Sequence, residues 1–199
     1  MTPQVIQNLI PEIYQKELED TLFKLPFYYS SSIGYDEKSK KSYGTKFLDN
    51  IGFSHSLIMD GNVDSNYWFL FKPILYFLSQ EIKLPVVNVI RARLRLTFQH
   101  PERKNFIFNK PHVDLPNYDN YKTLILYLND SDGDTFIFDK YYNKFEASGS
   151  VLKDIDKKII FKQTPKRGNG VYFDGRQYHA GNSPINYKSR YLINFDFTV

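Results

Sequence analysis

At 199 residues the chain is long enough for one domain with a substantial core and short for two. The absence of cysteine excludes disulfides and thiolate metal sites, so any metal must sit on His, Asp or Glu. Lys and Arg exceed Asp and Glu by 26 to 22, a scattered excess that gives nucleic acid only modest weight as a partner.

The opening MTPQVIQNLIPEIYQ has no basic run followed by a continuous apolar core, and no segment approaches the roughly 20 apolar residues of a spanning helix. The expectation is a soluble cytoplasmic protein with no membrane partner. From Pro3 to Leu25, Val5, Ile6, Leu9, Ile10, Ile13, Leu18 and Leu22 recur at spacings of three to five, which predicts an amphipathic helix that starts or kinks at Pro11. Residues 28–46 are polar with little period and read as a surface loop, either a lid or a plain connector. A second helix is predicted over Ser65–Ile82, with Trp68, Phe71, Leu75 and Leu78 on one face and a bend at Pro73. Residues 1–84 are thus a helical support region.

From Pro85 onward, branched and aromatic residues come in short runs separated by Gly, Pro, Asn and Asp, and 16 Tyr and 17 Phe suit strands. Strands are predicted at 86–98, 105–113, 122–129, 134–140, 157–163, 170–174, 177–181 and 188–198. With no long helix between them, they predict two facing antiparallel sheets, a mostly β jelly roll over 85–199 with the N-terminal helices on one outer face, all in a single domain. Residues 140–158 read as an extended hairpin or insertion, and Asn169 and Gly170 as a turn with Gly available for positive φ.

Four histidines occur, at 55, 100, 112 and 179. His112 and Asp114 are two apart, so on a strand both side chains face one point. His179 follows the turn at Gly175 and precedes Ala180 and Gly181, which leave space beside it. Two His and one carboxylate on one face of an octahedron leave three exchangeable positions, as in non-haem iron(II) oxygenases, and the same ligands also suit an open zinc site. Arg190 lies eleven residues after His179, across a turn at 182–186, and a hairpin of that length brings its guanidinium back. In the last strand Tyr191, Ile193, Phe195 and Phe197 form the apolar face, so Arg190 points the other way, suited to bidentate capture of a carboxylate.

The stretches HVDLPNYDNYKTLILYLNDSDGDTF, KRGNGVYFDGRQYHAG and SRYLINFDF together resemble the prolyl-4-hydroxylase-like branch of the 2-oxoglutarate and iron(II)-dependent dioxygenases, including small phage-encoded members. The resemblance spans about residues 88–198. It implies a double-stranded β-helix, iron ligation by His112, Asp114 and His179, and 2-oxoglutarate anchoring by Arg190 with the Tyr127 hydroxyl. It also implies use of O2 and release of succinate and carbon dioxide as an unidentified substrate is hydroxylated. Gly133, Asp134 and Thr135 depart from the double glycine often found there.

Arg91, Arg93 and Arg95 alternate on one strand face and either line an anion pocket or form salt bridges on a solvated face; Arg93 is the first candidate for substrate contact. His55 and His100 read as surface or structural residues in loops. The competing functions are a non-catalytic, cupin-like jelly-roll module with a structural metal, and a zinc hydrolase or isomerase, which has no use for Arg190. Peptide, nucleic acid and small metabolite all remain as substrates, and the sequence does not choose an oligomeric state.

Overall fold

A computed structural model describes residues 1–30, 51–100, 103–104, 107–146 and 151–199. The N-terminal stretch divides where backbone chemistry demands. Gln4–Ile6 forms β1, Asn8 takes a left-handed φ of 47°, and helix α1 spans Glu12–Leu22. Pro11, which lacks an N–H, caps that helix, its carbonyl accepting from the amides of Tyr14 and Gln15. The single helix expected from Pro3 to Leu25 is therefore shorter and preceded by a strand. Its inward face is Gln15, Leu18 and Leu22, while Ile13 is exposed.

Tyr28–Ser30 is β2, and the remainder of the loop or lid expected over 28–46 lies outside the described residues. Gly52–Met59 (β3) and Asn62–Val63 (β4) follow, so the first 84 residues are not purely helical. The second helix breaks at Pro73, as its sequence demanded, into α2 (Trp68–Phe71) and α3 (Pro73–Ile82). Trp68, Phe71, Leu75 and Leu78 are all buried.

The second half supplies β5 (Asn88–Phe98), β6 (Lys122–Tyr127), β7 (Thr135–Tyr141), β8 (Ile159–Gln163), β9 (Gly170–Asp174), β10 (Gln177–Gly181) and β11 (Ser189–Thr198). All pairings are antiparallel. One sheet runs β1-β9-β6-β11-β5-β3-β2, with β4 beside β3, and a smaller one runs β10-β7-β8. From β5 onward the chain passes repeatedly between the two sheets, the winding of a jelly roll.

The strand expected at 105–113 is replaced, over its described part, by isolated bridges at Asn109 and His112. Pro111 lies between them and cannot donate to a ladder. Among the described residues of 140–158 there is no extended hairpin. After Tyr141 comes a turn; then a helical turn at 151–152 and a 3-10 helix at Ile155–Lys158 bury Val151, Leu152 and Ile155 against Phe108, Phe136 and Phe138. The positive φ of the turn before β9 falls on Gly168 (82°), where an added Cβ would stand 2.3 Å from Gln15 Nε2; Gly170 is already in the strand.

Alternation along β11 sorts the interior. Ile193, Phe195 and Phe197 join Leu18, Leu22, Phe71 and Leu78 of the helices in one buried cluster. Leu192 faces the other way, into a cluster between the sheets with Ile125, Ile137 and Phe173. No helix among the described residues is long and apolar enough to cross a membrane.

Candidate metal centre

Residue 112 is held to β10 by reciprocal hydrogen bonds: the His112 amide donates to the His179 carbonyl and the His179 amide to that of His112, each at 2.9 Å. Directly opposed residues in an antiparallel pair project to the same side, and the imidazole centroids stand 4.6 Å apart. Asp114, two residues beyond His112, turns its carboxylate into the same space. The ligand atoms of His112, Asp114 and His179 all lie within 4.8 Å of one another, with His179 Nε2 3.2 Å and His112 Nε2 3.9 Å from the carboxylate.

The ring orientations suit coordination. Nδ1 of His112 donates to the Lys110 carbonyl and Nδ1 of His179 to the Gln177 carbonyl, both at 3.2 Å, because a carbonyl only accepts. That tautomer leaves each Nε2 lone pair facing the carboxylate, the arrangement that metal-ligating histidines show. Burial, reinforced by His179, pushes the His112 imidazole down to about 4. Burial also opposes charge on His179, but the hydrogen bond and charge of Asp114 outweigh it and raise that imidazole.

Asp114 is itself clamped. Arg91 forms a close ion pair with its Oδ1 and a second, at 2.8 Å, with Asp196, while the Asn194 amide donates to Oδ2 at 2.7 Å. Burial favours a neutral carboxyl at Asp114, yet Arg91 foremost holds it well below the usual carboxylate range. Asp196, with no exposed surface, is pushed up to about 6 by burial and by the charge on Asp114. The arginine face of β5 is thus interior at this point and paired with carboxylates, not solvated.

Beside the centre lies a recess of about 550 Å³, solvent at its mouth included, lined by His112, Asp114 and His179 together with Arg95, Thr97, Asn109, Thr135 and Arg190. Arg190 arrives by a different route from the hairpin its spacing suggested, because β10 and β11 belong to different sheets. Residues 182–188 cross between them, pinned where Asp132 accepts from the amides of Ile185 (2.9 Å) and Asn186 (2.8 Å). The guanidinium then packs against Gly181, where an added Cβ would stand 3.1 Å from Nη1. The space that Gly181 leaves is therefore occupied by Arg190, while Ala180 packs in the cluster of Phe108, Phe136 and Phe138.

The Arg190 guanidinium donates to Thr135 Oγ1 at 2.8 Å, and the Tyr127 hydroxyl donates to the same oxygen at 2.7 Å. Tyr127 is wholly buried and stands beside Arg190, whose guanidinium carbon lies 5.8 Å from the centre of its ring. Gly133 is needed for space: a Cβ there would lie 2.5 Å from the Asn182 carbonyl oxygen and 2.8 Å from Arg190 Cδ. Of seven buried side-chain polar atoms without a hydrogen-bond partner among the described residues, five line this recess: Thr97 Oγ1, Asn109 Oδ1, Asn182 Oδ1, Arg190 Nε and Asn194 Oδ1. Such atoms are rare in folded proteins, and their concentration marks a site shaped for a polar ligand.

Arg93 is half-buried between Arg91 and Arg95 and does not line the recess; Arg95 does. Sequence reasoning missed Thr135, Asn194 and Asn109, and the alternation of β5 was the available pointer to Arg95. His55 is structural but not in a loop. It is buried in β3, hydrogen-bonded to the Pro26 carbonyl and Ser65 Oγ, each at 2.8 Å. His100 lies in a loop after β5.

No family model and no curated protein matches the chain. Solved structures share its fold at low identity. An oxidoreductase of the 2OG-Fe(II) oxygenase family from Burkholderia pseudomallei superposes with a TM-score of 0.67 at 7% identity, over 98% of this chain and 84% of its own. The epimerase SnoN of nogalamycin biosynthesis, in complex with Fe3+, α-ketoglutarate and nogalamycin RO, gives 0.59 at 10%, over 98% and 78%. A Trichoplax adhaerens prolyl hydroxylase, bound to a hypoxia inducible factor peptide, gives 0.59 at 14%, over 98% and 83%.

Proposed function

We propose that this protein is a mononuclear non-haem iron(II) oxygenase that consumes 2-oxoglutarate and O2 and hydroxylates its substrate. One observation carries the reading: two imidazole Nε2 atoms and a carboxylate converge at the edge of a recess whose far wall holds a buried guanidinium with an unpaired Nε. The donor set fits a ferrous ion, with three ligands on one side and no soft sulfur. When bound, the ion and the keto acid supply oxygen activation, with succinate and carbon dioxide as products.

The chain's own residues do the rest. His112, Asp114 and His179 hold the ion, and backbone carbonyls fix both imidazole tautomers. Arg91 and Asn194 hold the Asp114 carboxylate in orientation. Arg190, kept in place by Thr135, grips the distal carboxylate of 2-oxoglutarate, since a planar guanidinium offers that group two parallel donors. The neighbours named above support this reading through shared fold alone; the residues carry it.

The test is conversion of 2-oxoglutarate to succinate by iron-loaded protein, followed by NMR in air and under argon. Oxygen-dependent succinate that His112→Ala abolishes is expected. Absence of turnover at every iron loading, with a metal nonetheless bound, would favour the non-catalytic module.

A further inference from the structure

Four side chains on one face of β5 meet β11 in register: Arg91 opposite Asp196, Arg93 opposite Asn194, Arg95 opposite Leu192 and Thr97 opposite Arg190. Arg91 has its carboxylates. Arg95 has none. Its residue is 8% exposed, it lines the recess, and no hydrogen bond or ion pair satisfies it among the described residues. Thr97 Oγ1 and Asn109 Oδ1, also unpartnered, line the same recess. A buried cation that pairs directly with no carboxylate is costly to a fold, so its place in a binding recess indicates a ligand that pairs with it.

We propose that Arg95 is a specificity-determining residue that binds an anionic group of the substrate, a carboxylate or a phosphate ester, beside the metal centre. The proposal rests on the oxygenase reading above and names the substrate class for it. The two carboxylates nearest this strand face, Asp114 and Asp196, are both engaged by Arg91, so neither pairs with Arg95 and its charge is left for a substrate anion. Its place on β5, two residues from Thr97 and hence from the strand position of Arg190, separates it from the co-substrate anchor.

The experiment uses full-length protein loaded with Mn(II), which is paramagnetic, and saturated with 2-oxoglutarate. Propionate and methyl phosphate serve as probes, and the broadening of their methyl resonances reports saturable binding near the metal. Wild type broadens at least one probe, and the identity of that probe distinguishes carboxylate from phosphate. Arg95→Gln weakens that binding by at least about tenfold. Affinity for 2-oxoglutarate stays within about twofold, and Arg95→Lys recovers part of the probe binding. Ligand-free Arg95→Gln melts higher than wild type, because the substitution removes an unpaired buried charge.

Unchanged probe binding in Arg95→Gln, or no probe binding in wild type, overturns the proposal. Loss of 2-oxoglutarate affinity in parallel also overturns it, by making Arg95 part of the co-substrate anchor. A lower melting temperature in Arg95→Gln makes the residue structural, with the same result. Wild-type protein that holds neither Mn(II) nor 2-oxoglutarate sinks the oxygenase reading itself, and this one with it.

Discussion

Replacing Arg91 with Met retains the apolar stem of the side chain and deletes its charged head. The Arg91 side chain is 12% exposed, and the carboxylates it bridges, Asp114 and Asp196, are 2% and 0% exposed. Removing one partner from a buried pair leaves uncompensated charge and costs about 3–5 kcal/mol. For a chain of this size each kcal/mol lowers Tm by roughly 2–4 °C, so Arg91→Met should melt about 6–20 °C lower in the metal-free state. Two compensations follow from the geometry. Mn(II) at the centre neutralises Asp114 and should recover part of the loss. A second substitution, Asp196→Asn, removes the other orphaned charge and should recover at least about half, a coupling that a double-mutant cycle in urea at pH 7.5 measures. A loss under about 1 kcal/mol in Arg91→Met, or additivity of the two substitutions, would refute the clamp.

Three further outcomes are expected. Because His112 is pushed to about 4 and Asp114 is held ionised, His179, raised above the usual value by Asp114, is the group that must lose a proton on ligation. Calorimetry at pH 6 in two buffers of different ionisation enthalpy should show about one proton released per Mn(II), with affinity rising as pH approaches 7. In the metal-free protein the raised His179 value contributes stability that is present below about 6.5 and lost as pH rises through its folded value. Gly133→Ala places a methyl against the Asn182 carbonyl and Arg190 Cδ, and should lower 2-oxoglutarate affinity by about tenfold or more while leaving Mn(II) affinity within about threefold. Thr135→Val keeps the shape but removes the oxygen that accepts from both Arg190 and Tyr127, so calorimetry should show 2-oxoglutarate binding weaker by roughly 5–30-fold, about 1–2 kcal/mol.

Residues close along the chain declared themselves. The spacing of two brings His112 and Asp114 to one point even though only an isolated bridge at His112, not a strand, carries them, and the two-residue period sorts Arg190 from Tyr191 in β11. Pro11 and Pro73 set helix boundaries because a missing N–H and a fixed φ act locally. The same locality misled over 3–25, where an apolar period continued through residues that Asn8 and Pro11 divide between a strand and a helix. It also misled at 105–113, where Pro111 interrupts the ladder.

Pairing across strands was decided by the tertiary structure. Arg91 and Asp196 are 105 positions apart, Thr135 and Arg190 are 55 apart, and Asn194 and Asp114 are 80 apart. A shift of one residue in the register of β5 would send Arg91, Arg93 and Arg95 to the opposite face of the sheet and break the Arg91 pairing. Which of three alternating arginines finds a carboxylate, and which is left facing the recess, is therefore a property of strand register and sheet packing rather than of any local run of residues.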